Sequence, residues 1–385
     1  MKINNNLKDL KFDKQYSLNY SINEFFKLSM FDPLTDKKYF SQYNLKQFKN
    51  KKYRVHVLGM GGSSLSSKLL AQFIDPTLIN NSLYIYDNVS LVNITSTISK
   101  IKISNKDRFI FISKSGNTIE TKYFLHLVIK ILKKKNIKNP YKNFIFITEN
   151  KKSYMKDFST KNNILCFDHD PNIGGRFSIF SITGLLPLIV MGYSLNSLLK
   201  SFTKAKMKFL NNHSYLSKLT LSNLKFEDSK KLNNLVGLSY HDRINVINEW
   251  YRQIFAESLG KNKKAKNYIS AYGSIDQHSQ FQLYIDGPHD KQFIFFSIAS
   301  KVSKLKSNSD LIKAYNLASV LEKGAITTLK QKKFLVNQIT IEENLIDYTY
   351  LLIYLIFDIF LRAKFSKINF LDQPAVEILK KNTRA

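Results

Sequence analysis

The sequence predicts an α/β protein: two three-layer α-β-α sandwiches with parallel sheets, a helical N-terminal segment and a C-terminal tail. Three observations carry that expectation. Short runs rich in β-branched and aromatic residues alternate with longer helical patterns, the grammar of βαβ units. These runs fall into two series separated by a polar, lysine-rich stretch. Finally, 385 residues with 44% hydrophobic and 13% aromatic side chains suffice to fill two cores.

In chain order, residues 1–50 contain no strand series and read as a helical or irregular extension. The first series, 53–58, 82–86, 108–112 and 143–148, defines a sandwich over 51–200. Residues 196–231 are polar and helix-like without a strong strand, which predicts a boundary near residue 200 and a helical linker over 201–231. The second series, 235–240, 268–272, 292–296 and 335–341, defines a sandwich over 232–365, and 366–385 form the tail. There is no fixed-period repeat, although the two halves share one strand-helix grammar.

Bulk properties narrow the function classes. A single cysteine, Cys166, rules out an internal disulfide framework, and Met1 is followed by Lys2 rather than an apolar signal core. A cytoplasmic protein is expected. The apolar stretches 179–195, with Gly184, Pro187 and Gly192, and 348–361, with Asp358, fall short of the roughly 20 apolar residues of a spanning helix. Both read as buried helices, with no membrane partner. The net charge of +30 raises polyanion binding, but the lysines are scattered in groups such as 133–135 and 261–266, without a nucleic-acid motif. A/T-rich coding bias is the alternative source, and weak, salt-sensitive polyanion binding stays open. The seven histidines show no metal-ligand spacing and no nicotinamide or flavin fingerprint is present, so neither metal nor cofactor is expected.

Two glycine- and hydroxyl-rich loops follow strands. Gly59-Met60-Gly61-Gly62-Ser63-Ser64 lets backbone approach a ligand ahead of a helix N-terminus, though a plain tight turn explains it equally well. Ser113-Lys114-Ser115-Gly116-Asn117-Thr118, with Glu120 and Thr121 beyond, has the form of a phosphate cradle or of a well-capped helix.

Together with four later segments, these loops resemble the motifs of the phosphoglucose isomerase family, built from two sugar-isomerase (SIS) domains. Gly174-Gly175-Arg176-Phe177-Ser178 resembles its G-G-R-(Y/F)-S motif. Trp250-Tyr251-Arg252-Gln253 through Glu257-Ser258-Leu259-Gly260-Lys261 resembles W-Y-x-Q...E-S-x-G-K. Gln277-His278 through Gln282-Leu283 resembles Q-H-x-x-x-Q-L, and Leu371-Asp372-Gln373-Pro374-Ala375-Val376-Glu377 with Lys380 resembles the terminal F-D-Q-x-G-V-E-x-x-K.

The resemblance implies reversible isomerisation of glucose 6-phosphate and fructose 6-phosphate through ring opening and a cis-enediol. That chemistry needs a base to move a proton between neighbouring carbons, and Glu257 matches the family's catalytic glutamate. Arg176, a permanent cation, matches the group that offsets enediolate charge. His278 and Lys380 match the ring-opening pair. Gln253, one helical turn before Glu257, and Gln373 match substrate-contact glutamines. Gly62, Ser63 and residues Ser113, Lys114, Ser115, Gly116, Asn117 and Thr118 match the phosphate site. In the family the histidine comes from a neighbouring subunit, which implies a homodimer. Departures are Gly273-Ser274-Ile275-Asp276 in place of G-T-N-G, Leu371 and Ala375 in place of Phe and Gly, and Leu379 in place of the usual glycine before the lysine. The alternatives are a non-catalytic sugar-phosphate sensor and an isomerase that also takes mannose 6-phosphate.

Overall fold

Strand β2 (Arg54–Gly59) is buried from Val55 to its end, as a strand covered on both faces must be, and this accounts for its unbroken apolar run. It lies inside a five-stranded parallel sheet with β3 (Leu83–Tyr86), β4 (Asp107–Ile112), β5 (Phe144–Thr148) and β6 (Leu165–Asp168), in the order β3-β2-β4-β5-β6. A second sheet runs β1-β10-β9-β7-β8, from β1 (Lys2–Asn5), β7 (Asn234–Ser239), β8 (Asn267–Tyr272), β9 (Lys291–Ile298) and β10 (Leu335–Ile341). Its pairs are parallel except β1 on β10. This computed structural model describes residues 1–11, 18–263, 265–299 and 309–383, so Lys264 of the 261–266 lysine group lies outside the described residues.

The chain divides into two compact units, Phe26–Lys200 and Met1–Phe25 together with Ser201–Ala385. Two features depart from the sequence-based expectation. The N-terminal segment contains a strand: Lys2–Asn5 closes the edge of the second sheet, with Lys2 opposite Thr340. Four polar-flanked residues carry too little pattern to announce a strand whose partner is over 300 positions away. The stretch read as a linker forms the helices Leu195–Leu210 and His213–Ser229, the latter burying Leu216, Leu221, Leu224 and Glu227 in the second unit.

The long apolar runs are interior helices. Ile182–Val190 is buried throughout, with Pro187 inside it, and Leu345–Ser366 is buried from Asp347 to Ala363. Among the described residues no helix is long and apolar enough to cross a membrane.

A buried polar group ties the amino ends of β2 and β4 together. The His56 ring lies 4.4 Å from the Phe109 ring; its Nε2 donates to Asp107 Oδ1 at 3.3 Å and its Nδ1 accepts from the Tyr86 hydroxyl at 3.1 Å. Burial holds the imidazole below its ordinary pKa. For Asp107, burial pushes the carboxyl up, but hydrogen bonds from His56, Arg54 and the Ser104 amide outweigh it and hold it at about 2. Both folded-state values lie below the unfolded ones, so the stability they contribute is present at neutral pH and is lost as pH falls. The His56 part declines below its unfolded pKa of about 6.5, and the Asp107 part below about 4, the latter worth about 2 kcal/mol at pH 7. Urea midpoints followed by near-ultraviolet circular dichroism should therefore fall from pH 7 to pH 3. Asp107→Asn should be less stable at pH 7 and flatten the slope below pH 4; an unaltered slope would refute this assignment.

Candidate functional site

The carboxyl ends of β2 and β4 flank a switch point in the first sheet. The chain leaves β2 to place β3 on one side, then returns to place β4 on the other. In open α/β sheets ligands bind in the crevice that such a reversal opens outside the strand carboxyl ends. The loops 59–64 and 113–118 both emerge there, and Gly59 and Ile112 are register partners.

Each loop is shaped by a glycine that has no substitute. Gly61 begins the helix Gly62–Ile74 with φ 56°. Gly62 packs so closely on the third motif that a Cβ would stand 2.2 Å from the Gly175 carbonyl oxygen and 2.7 Å from the Arg176 Cα. The first and third motifs are thereby one structure. Ser66 Oγ donates to the Gly62 carbonyl at 2.7 Å and lies 3.4 Å from Ser178 Oγ. Ser63 is buried in the first turn.

In the second loop Gly116 adopts φ +67°, and a Cβ there would collide with Ser153 and Thr148. Thr118 precedes the helix Ile119–Lys134 but does not cap it; its Oγ1 pairs with Ser113 Oγ at 2.8 Å. The first-turn amides of this helix therefore receive no side-chain cap from Thr118. Ser115 Oγ accepts from the Asn117 amide at 3.2 Å, and Asn117 Oδ1 accepts from the Tyr154 amide at 3.1 Å. Lys114 donates to the Pro171 and Ile173 carbonyls at 2.7 and 3.0 Å, which ties this loop to the segment leading into Arg176. Burial holds its ammonium below the ordinary lysine pKa, with Glu149 at 3.6 Å acting against that shift. Arg176 is buried on the 3-10 turn Gly175–Phe180, its guanidinium 5.0 Å from the Phe177 ring centre.

In the second unit, helix Asp242–Leu259 carries Gln253 and Glu257 on one face, and Gln253 Nε2 donates to Glu257 Oε1 at 3.0 Å. The other amide atom, Gln253 Oε1, is buried without a hydrogen bond among the described residues. Glu257 and Gln373 line a cavity of about 740 Å³ together with Lys261, Lys263, Lys367 and Asp372. His278 and Lys380 are not among its lining residues. His278 is exposed at the end of helix Gly273–Gln277, and Lys380 pairs with Glu377 at 2.6 Å on helix Pro374–Asn382. Among the described residues no group of three or more His, Cys, Asp or Glu side chains is placed to hold a metal ion. Another cavity, of about 650 Å³ and lined by Lys52, Arg54, Lys102 and Lys106, opens at the amino ends of β2 and β4, away from the loops.

A model of the phosphoglucose isomerase family matches residues 36–346, most of the chain. The chain belongs to the phosphoglucose isomerase family. It is 35% identical over 264 residues to a glucose-6-phosphate isomerase of Methanocaldococcus jannaschii, covering 67% of this chain and 63% of the relative. It is 35% identical over 262 residues to one of Campylobacter jejuni, covering 66% and 63%. The aligned stretch thus spans under two thirds of these two relatives. It is longer against a probable glucose-6-phosphate isomerase of Methanococcus maripaludis: 30% identity over 356 residues, 88% of this chain and 80% of that one. Among solved structures, a hypothetical protein of Thermus thermophilus superposes with TM-score 0.77 at 25% identity, covering 93% and 89% of the two chains. A glucose-6-phosphate isomerase of Chlamydia trachomatis shares the fold, with TM-score 0.70 at 17% identity and coverage of 96% and 75%.

The motifs of this phosphoglucose isomerase family member single out neither His169 nor a role for Lys261. His169 follows β6, is buried, and has an Nε2 without a hydrogen bond among the described residues. No pattern around it in the sequence marks it. Lys261 stands in the E-S-x-G-K segment, and only its contacts show what it holds.

Proposed function

We propose that this chain interconverts D-glucose 6-phosphate and D-fructose 6-phosphate in the cytoplasm, without a cofactor, by ring opening followed by proton transfer through a cis-enediol. The observation that carries this reading is the Glu257 carboxylate, held by Gln253 at the edge of a cavity that Gln373 also lines. Moving a proton between adjacent carbons calls for one base that takes it and returns it, and a carboxylate oriented by an amide suits that work. Glu257 is that base. Arg176 offsets the charge developing on the enediolate oxygens. The loops 59–64 and 113–118 hold the phosphate through backbone amides and the hydroxyls of Ser63, Ser115 and Thr118.

His278 is the ring-opening group, assisted by Lys380, and it serves the site of a second copy in a homodimer. Its exposure supports this role, and the exposed Ile275 and Leu283 flanking it would add apolar area to a face shared with a second copy.

The test is a coupled assay with fructose 6-phosphate, run against glucose, mannose and glucosamine 6-phosphates without added metal or nucleotide. Turnover to glucose 6-phosphate is expected, and its absence overturns the proposal. Gly62→Ala provides a second check in the same assay. The added Cβ meets backbone of Gly175 and Arg176, which cannot swing aside as a side chain tip would. A cost of about 1–3 kcal/mol is expected, with activity lowered about 10²-fold by displacement of Arg176. Full activity in this variant would show that the close approach is dispensable.

A further inference from the structure

We infer that Lys261 is a positioning residue: it clamps the C-terminal tail to the end of the Glu257 helix and so sets where Gln373 stands. Helix Asp242–Leu259 stops at Gly260, whose amide donates to the Ala256 carbonyl; a Cβ there would lie 2.4 Å from that oxygen. Lys261 is therefore delivered at a fixed point, four residues after Glu257. Its side chain is only 13% exposed. Its ammonium donates to the carbonyl of Asn369, to the carbonyl of Asp372 at 2.9 Å, and to Asp372 Oδ1 at 2.5 Å. Three acceptors match the three donors of an ammonium.

The clamped segment is organised around those acceptors. Helix Leu345–Ser366 ends at Lys367 in the left-handed conformation, and the Ile368 amide returns to the Ala363 carbonyl at 2.9 Å. Asn369 accepts from the Leu371 amide and donates to Asp372 Oδ2, both at 3.0 Å, while Phe370 is buried against Phe360. The loop presents its oxygens to one cation, and the next residue is Gln373. Lys261, Glu257 and Gln373 line the same cavity, so the clamp draws together two motifs more than a hundred residues apart. A lysine that only paired with a surface carboxylate would not use two backbone carbonyls.

This inference rests on the proposed reaction for its kinetic arm but not for its structural one. The experiment compares wild type, Lys261→Met and Lys261→Arg by amide hydrogen exchange and by isomerase kinetics. In Lys261→Met, exchange at 368–376 should accelerate at least tenfold while that of helix Leu345–Ser366 is unchanged. KM should rise about tenfold with kcat held within threefold, as expected when a ground-state contact loosens. Lys261→Arg, which keeps a cationic donor, should recover part of both effects. In a Gln373→Ala background Lys261→Met should cost under twofold, because its route to substrate is already removed. Native exchange in the tail of Lys261→Met, or an undiminished effect in the Gln373→Ala background, overturns the inference. Should Lys261→Met fail to fold, Asp372→Ala removes the side-chain acceptor from the exposed partner and is read the same way. An inactive wild type would sink the isomerase reading alone, since the exchange arm still decides the clamp.

Discussion

Replacing Glu257 by glutamine is expected to lower kcat about 10⁴-fold, the upper part of the range for loss of a general base, while KM stays within a few-fold. The amide has nearly the shape of the carboxylate, so the cavity lined by Gln373 is preserved, but it cannot take a proton from carbon. Steady-state kinetics with fructose 6-phosphate check the first half, and sugar-phosphate binding to the inactive variant checks the second. Turnover retained within tenfold would remove Glu257 from the role of base. The same variant tests the shared site. Mixed with inactive His278→Ala, it should regain part of the activity, because one site of the mixed dimer would then hold both intact groups. Confirmed mixed dimers without activity would count against a histidine supplied by the second copy.

Glu227→Leu is expected to destabilise the second unit by about 3–5 kcal/mol, the cost of stripping one partner from a buried ion pair. Glu227 is fully buried and accepts two bonds from the Arg362 guanidinium, at 2.9 and 3.0 Å, with Lys266 at 3.2 Å and the Gln292 amide also on it. Arg362 in turn bonds Asp358 at 2.7 Å, and Asp358 accepts from the Tyr251 hydroxyl. Burial alone would raise the Glu227 pKa; the charge and hydrogen bonds of Arg362, with the Lys266 charge and the Gln292 amide, together outweigh it and hold the carboxyl below its ordinary value. With its partner gone, Arg362 keeps a desolvated charge that Asp358 only partly meets. Pairing the change with Arg362→Leu should therefore cost less than the two single changes added together. Trp250, the sole tryptophan, is buried one residue from Tyr251, so its fluorescence follows this unit through urea unfolding. Strict additivity of the two changes would refute the coupling.

Much of the fold was legible because parallel strands covered on both faces must be apolar along their whole length. The eight strands read from the sequence are all present, within one or two residues of β2–β5 and β7–β8 and slightly short for β9. Among the described residues, the two that escaped are β1 and β6, four residues each. β6 reads Leu165-Cys166-Phe167-Asp168 at a sheet edge, with Leu165 exposed, so it carries little apolar periodicity. The stretch 196–231 looked like a linker because its helices are polar on one side. Glu227, which pairs with Arg362 inside its unit, is charged, and hydrophobic patterning cannot announce a buried charge whose partner is Arg362.

For the candidate site, the resemblance of six motifs to those of the family nominated Glu257, Arg176, His278 and the two loops, and proton transfer between carbons calls for a base of the kind Glu257 offers. Which groups stand together is a different kind of fact. The chain alone does not show that Gly62 must be glycine because Gly175 presses against it, that Lys114 is tied to the Pro171 and Ile173 carbonyls, or that Lys261 gathers the tail beside Glu257. Local sequence determines which backbone conformations and protonation states are open to a residue. Contacts between segments more than fifty residues apart depend on how sheets and helices close-pack, and the tertiary structure alone decides them.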